Sequence, residues 1–386
     1  MAGATGAAVI GLAVAALALG VAAAPPKQVI RVDQPWTCSS KVDLDLVRVT
    51  ITRASIGERS AEDAVHLRTG CTGRIGRLEV VQWAGDGVKV SYGVQDLDVG
   101  GGSIRCLGKA PDLHQDGIQV MGGSHITFHD LSIRCGRANA RLINSDLFIN
   151  RAGKAATPPT DVVCDGCSFG PWAAHTVSVQ DSVRSGVTGS TLCVARFPQL
   201  TLAVGADAID AVQTSNVVRQ CGPGKLVLEP GKRTVVYGKR LPLRGFFLGQ
   251  LPGTPITARA RAVPVGSTTS GSTGRFRLIL RPRTTETVLI SGAGAAAAAR
   301  IGVQPKVVLT YRRRLVAKVF AAISYRGRTA ILQTRRGGRW VGVQRIRLGR
   351  RSKAVIRARV HGVTVRLKVP AAHGYLPAAS APVRLP

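Results

Sequence analysis

The segment Asp112-Leu113-His114-Gln115-Asp116-Gly117-Ile118-Gln119 places an imidazole, two carboxylates and two amides close together in the chain. Part of it recurs: Asp63-Ala64-Val65-His66-Leu67, Asp86-Gly87-Val88-Lys89-Val90 and Asp116-Gly117-Ile118-Gln119-Val120 share the order acid, small, apolar, polar, apolar. Aligned, they set Asp63, Asp86 and Asp116 in one column and His66, Lys89 and Gln119 in another. Continuing the register adds Arg141, from Ala138-Asn139-Ala140-Arg141-Leu142, and Ser178, from His175-Thr176-Val177-Ser178, to the second column. Acidic and basic rows then lie side by side. Elimination on a uronate needs its carboxylate neutralised and a base for the C5 proton. Lys89, Arg141 or His114 can supply base or neutraliser, and Asp86 with Asp116 offers oxygen ligands for a Ca²⁺ cofactor. Hydrolysis needs two carboxylates about 5.5 Å apart or about 6.5 to 9.5 Å apart; Asp86 and Asp116 on stacked rungs approach the shorter value. Gln119, His66, Ser178, His175 and Trp172 read as substrate-binding groups, with His175, beside Trp172, as a sugar-stacking edge. The competing reading is structural: aspartates shape turns through their own side-chain hydrogen bonds, and His114 and Gln119 stack as ladders. Asp63, with no histidine two residues before it, fits that reading better.

These columns exist only if residues about one repeat apart lie over one another. Cys106, Cys135, Cys164 and Cys193 follow at intervals of 29 residues and Cys221 after 28, a period that suggests a solenoid. Each acid-led strand is followed by a second apolar alternation, Ile75 to Val80, Val94 to Val99 and Ile126 to Ile133, with glycines between. No rung before Cys221 offers a helical stretch, and leucines are too few for leucine-rich repeats. The expectation is a parallel β-helix with aligned coils.

The first 24 residues are an Ala/Val/Leu run ending Ala22-Ala23-Ala24, which reads as a cleavable signal peptide lacking the usual basic start, with a retained anchor as the alternative. No second membrane span follows. Export permits disulfides, and stacked coils about 4.8 Å apart place neighbouring cysteines within bonding range. Cys38 with Cys71 and Cys106 with Cys135 are the expected staples. Cys164-Asp165-Gly166-Cys167 has a redox or zinc spacing, but no second ligand pair accompanies it.

Charge divides the chain. The 386 residues carry a net +32; from Lys225 onward there are 33 Lys/Arg against Glu229 and Glu286 alone, a net of 33 − 2 = +31. No cysteine lies beyond Cys221, so composition and charge change together near Gly222-Pro223-Gly224. Short alternating strands follow: Thr234 to Tyr237, Leu241 to Phe247, Ile256 to Val263, Phe276 to Leu280 and Val288 to Ile290. A second set begins near Val307. The two sets resemble the Ig-like modules of exported bacterial proteins, through Tyr237-Gly238 with Leu243-Arg244-Gly245, Gly274-Arg275-Phe276, and Gly338-Arg339-Trp340. That resemblance implies spacing or adhesion. Such a basic segment favours polyanions, whether wall polymers, acidic polysaccharides or extracellular DNA. No basic helix or RNP-like aromatic pair points to specific nucleic-acid recognition.

In its repeat setting the HxDGIQ segment resembles right-handed parallel β-helix proteins of the pectin-lyase-like superfamily, over about residues 38 to 222. The resemblance implies a saccharide partner. The Asn-Thr-Asp, Asp-Asp and Gly-His-Gly signatures of polygalacturonase-type hydrolases are absent, as is the Arg-x-Pro-x-x-Arg of pectate-lyase-type enzymes, so neither activity carries over. The expected fold class is all-β, a right-handed parallel β-helix followed by two Ig-like β-sandwiches. The expected organisation is a signal peptide over 1–24, the β-helix over 29–222, and sandwiches over 225–303 and 304–386. The expected role is recognition of an acidic polysaccharide or other cell-envelope polyanion by a secreted or cell-surface protein. Cleavage is open, and a non-catalytic adhesin with a β-helix stalk is the rival.

Overall fold

A computed structural model describes residues 28–52, 63–107, 115–135, 143–153, 156–357 and 360–386; residues 1–24, His114 and Arg141 lie outside them. β-branched residues alternating with polar ones give short strands, and those of the N-terminal half pair in parallel with their equivalents one coil away. Three parallel sheets result. The first runs through Val29–Val32, Leu46–Thr50, Leu78–Gln82, Gly102–Cys106, Leu131–Arg134, Ser168–Phe169, Thr191–Cys193 and Val217–Arg219. The second runs through Trp36–Cys38, Val65–Leu67, Val88–Val90, Gln115–Val120, Ile143–Ile149, His175–Val179 and Leu202–Val204. The third comprises Lys41–Leu44, Thr72–Ile75, Gln95–Val99, Ser124–His129, Thr160–Asp165, Gly186–Thr188 and Val212–Thr214. Inward Val, Ile, Leu and Phe from all three form one stacked core.

The parallel β-helix is therefore present, with three strands per coil instead of the two alternations read from the sequence. Ile75 to Val80 and Ile126 to Ile133 each bend from the third sheet into the first. At Asp130 a single left-handed residue, φ +54°, turns that corner, and Gly166, Gly189 and Ser215 hold positive φ at its later counterparts. One such residue skips a beat of the alternation, so Ile126, Phe128, Leu131 and Ile133 are all buried. At the entry to the third sheet, Asp96, His125 and Asp161 take the left-handed conformation, which Asp and His tolerate better than most residues.

The cysteine interval does not trace one column. Val65 stacks on Val88, 23 residues on, whereas Ile126 stacks on Val162, 36 residues on. Loop length varies between corners while strand register holds. Cys106 and Cys135 follow the aligned pair Arg105 and Arg134 in the first sheet, but Cys164 pairs with Phe128 in the third and Cys193 with Arg219 in the first. The expected Cys38–Cys71 and Cys106–Cys135 staples are formed, together with Cys193–Cys221, each linking adjacent coils. Cys164–Cys167 closes a corner within one coil.

Coil-to-coil pairing ends at Val217–Arg219, and from Lys225–Leu228 onward the sheets are antiparallel except where Thr234–Val236 runs parallel to Ala295–Gln304. A three-stranded sheet (Lys225–Leu228, Leu241–Leu248, Arg275–Leu280) packs with a five-stranded one containing Pro255–Ala260, Val263–Thr269, Glu286–Gly292, Ala295–Gln304 and Thr234–Val236. The second sandwich combines Lys306–Tyr311, Leu315–Phe320 and Lys353–Ile356 with a sheet built on Thr329–Arg336, Arg339–Arg347 and Thr364–Val369. The buried residues of both sandwiches are continuous with one another, and Tyr375 joins them, accepting from the Ala322 amide at 2.7 Å and donating to the Arg283 carbonyl. Val263–Thr269 and the alanine-rich Ala295–Gln304 escape the sequence reading. Alanine favours helix, and here pairing on both flanks, with Glu286–Gly292 and Thr234–Val236, makes the second segment a strand.

Candidate functional site

The strands of the second sheet bring most of the sequence-predicted site together. Backbone register stacks His66 on Lys89 and Lys89 on Gln119, and continues to Phe148 and then Ser178. Phe148, not Arg141, follows Gln119, because the next strand is Ile143–Ile149. The acid column runs Asp63, Asp86, Asp116, then Ser145 and His175.

Hydrogen bonds show what the acids do. The Asp86 amide donates to Asp63 Oδ1 at 3.2 Å and the Asp116 amide to Asp86 Oδ1 at 2.8 Å, so each carboxylate holds the next coil. Asn144 Nδ2 donates to Asp116 Oδ1 at 3.1 Å, and the Cys135 amide to Asp146 Oδ1 at 2.8 Å. Asp86, Asp116 and Asp146 are buried. Lys89 Nζ lies 3.5 Å from Asp63 Oδ2 and 3.9 Å from Asp86 Oδ2. That ammonium already supplies the positive charge a cation between these acids would bring. Among the described residues no group of three or more His, Cys, Asp or Glu side chains is arranged to hold a metal.

Gln119 Nε2 reaches Asp116 Oδ2 at 3.5 Å, and His66 Nε2 is 2.8 Å from Ser91 Oγ. Burial lowers the pKa of both His66 and His175. Ser178 is buried and accepts from Gln180 Nε2 at 3.1 Å. The Trp172 indole packs where the β-helix meets the first sandwich, so closely that a Cβ on Gly249 would come within 3.0 Å of Cζ3. Gln220 Nε2, donating to the Gly249 carbonyl at 2.6 Å, secures the same junction.

Burial and then the neighbouring Asp116 charge push the Asp86 carboxyl up to about 8. Burial pushes Asp116 up to about 7 against hydrogen bonds that lower it, and raises Asp146 well above the usual range. The unfolded chain ionises these groups near pH 4. Folded pKa values above the unfolded ones give stability that is complete below about pH 4 and is lost as pH rises through 7 to 8. Asp86→Asn keeps an oxygen for the Asp116 amide and removes the charge. We expect its unfolding midpoint to exceed wild type at pH 8 and to match it at pH 4; equal shifts at both pH values would refute this.

Sequence reasoning missed two surface arrays. On the third sheet His125 lies between Asp96 (3.3 Å) and Asp161 (3.6 Å), and Arg184 pairs bidentately with Asp161. Only the coil register reveals this alternation of sign. On the sandwiches, outward cations face cations: Arg244 pairs directly with Arg277 and Lys318 with Lys353. Beside them Arg275 lies over the Phe246 ring at 5.1 Å and Lys318 over Phe320 at 4.5 Å. Like charges directly opposite on a sheet are destabilising, and the sequence offers only Glu229 and Glu286 to compensate them.

No protein-family model matches the chain, and no curated protein does. Solved structures with partial similarity include the BSP domain of a biofilm associated protein, at 12% identity over 42% of this chain and 29% of that chain, TM-score 0.16. Bovine butyrophilin is similar at 12% identity over 43% of this chain and 100% of that one, TM-score 0.22. The central fibronectin-III array of RIM-binding protein is similar at 15% identity over 38% of this chain and 58% of that one, TM-score 0.18. The chain thus spans less than a third of the first and just over half of the third, and no function is transferred from them.

Proposed function

We propose that this is a secreted or cell-surface protein that binds an acidic polysaccharide of the cell envelope through its basic sandwiches, with the β-helix as a rigid stalk. The observation that carries this reading is the array of outward cations after Lys225, where Glu229 and Glu286 alone are acidic and arginines and lysines face one another across strands. Counterion release drives such surfaces onto polyanions. Four disulfides suit an oxidising compartment, and among the described residues no helix is long and apolar enough to cross a membrane. The organisation into units over 29–222, 225–303 and 304–386, after a cleaved leader over 1–24, is part of the proposal, as is kinship of the β-helix with pectin-lyase-like proteins. Binding is favoured over cleavage because Asp86 and Asp116 are buried and spend their oxygens on the coil-to-coil ladder. The test is titration of the full chain with polygalacturonate across a salt series, alongside assays for unsaturated uronates and new reducing ends. Binding that weakens linearly in log–log form with salt, without products, is expected. Salt-independent binding, or product release, would overturn the reading.

A further inference from the structure

The outward face of the sheet made by Thr329–Arg336, Arg339–Arg347 and Thr364–Val369 differs from the other basic surfaces in being built around an indole. Leu332, Ile346 and Leu367 point into the core, so the alternate positions face out. Register sets Arg345 and Lys368 on either side of Ile331, Arg366 beside Gln333, and Arg335 opposite Trp340. Arg366 is held in place: its Nε donates to Gln333 Oε1 at 2.9 Å, and its guanidinium lies 4.4 Å from the Trp340 ring centroid. Gln333 beneath them is 8% exposed, while Arg335, Arg345, Arg347 and Lys368 are exposed. No Asp or Glu occurs after Glu286, so nothing acidic in this sandwich neutralises the rows.

Strands about 4.8 Å apart, with alternate residues about 6.8 Å apart along each, spread these cations in rows over one face of the sheet. Such rows suit a linear polymer carrying regularly spaced carboxylates, which arginine grips through paired N–H groups. It does not suit a single nucleic-acid strand, which needs a series of aromatic platforms for successive bases; one indole, with Arg366 already on it, is not a series.

We infer that this face is the docking surface for a linear acidic polysaccharide, with carboxylates on Arg345, Arg366 and Lys368 and Trp340 holding the Arg366 guanidinium in place. The inference rests on the polyanion reading above and adds to it a location and a partner class. It is tested on the full chain with polygalacturonate and, separately, single-stranded DNA as probes. Arg345→Glu with Lys368→Glu is compared with Arg312→Glu and Arg313→Glu, which make the same charge change on the exposed turn after Lys306–Tyr311. The face pair should weaken polygalacturonate binding at least about tenfold more than the turn pair. Trp340→Ala should cost about tenfold, the scale of one aromatic contact, with Trp340→Phe recovering most of it at unchanged thermal stability. Equal losses from both pairs would overturn the docking face while leaving the polyanion reading intact. Tighter binding of DNA, lost in the face variants, would overturn the partner class. Failure of the wild-type chain to bind polygalacturonate at all would sink the underlying reading and this inference with it.

Discussion

Removing the three coil-to-coil disulfides is expected to unfold the β-helix while leaving the sandwiches folded. Cys38–Cys71, Cys106–Cys135 and Cys193–Cys221 close loops of 33, 29 and 28 residues. Loops of that length restrict the unfolded chain by about 3 to 4 kcal/mol each. Three together approach about 10 kcal/mol, comparable with the whole stability of a typical domain at about 5 to 15 kcal/mol. Cys164–Cys167, separated by only 3 residues, contributes less. The sandwiches carry no cysteine, so calorimetry should resolve two transitions. The β-helix transition should fall sharply in a variant with these six cysteines changed to serine, and fall part of the way with Cys193→Ser and Cys221→Ser alone. An unchanged β-helix transition in the six-site variant would show that stacking suffices without the staples.

Gly102→Ala should be among the most damaging single substitutions. Gly102 opens its strand at φ +105°, and a Cβ there would lie 2.1 Å from the Leu78 carbonyl oxygen on the coil it stacks against. Backbone cannot move aside without breaking the ladder that joins Gly102 to both Leu78 and Leu131. Unfavourable backbone conformation and steric clash act together, and a loss of more than about 3 kcal/mol is expected. Gly153 provides the contrast: its φ is +115°, yet a Cβ there meets nothing within 4 Å among the described residues. Gly153→Ala should therefore show the conformational cost alone, about 1 to 2 kcal/mol. Similar losses at the two sites in chemical denaturation would refute the role assigned to coil stacking.

The acid-led repeats led directly to the right registry. His66, Lys89 and Gln119 stack as their alignment implies, because side chains on a parallel ladder repeat only if the apolar residues between them stay in the core. Beyond them the register pairs Gln119 with Phe148, and Arg141 lies outside the described residues. The Trp172 indole packs against Gly249, far along the chain. The pairing of Trp340 with Arg366 joins residues on separate strands, and no local pattern announces it.

By itself, the sequence determined the all-β class, the stacking of acid-led strands, the coil staples and the separation of charge, since each follows from local alternation, spacing or composition. Tertiary structure alone decided that Asp86 and Asp116 are buried ladder groups and that the arginines of the second sandwich share a face with an indole. The reason is physical: burial and strand partnership depend on which residues the loops bring together, and loop length here varies from coil to coil.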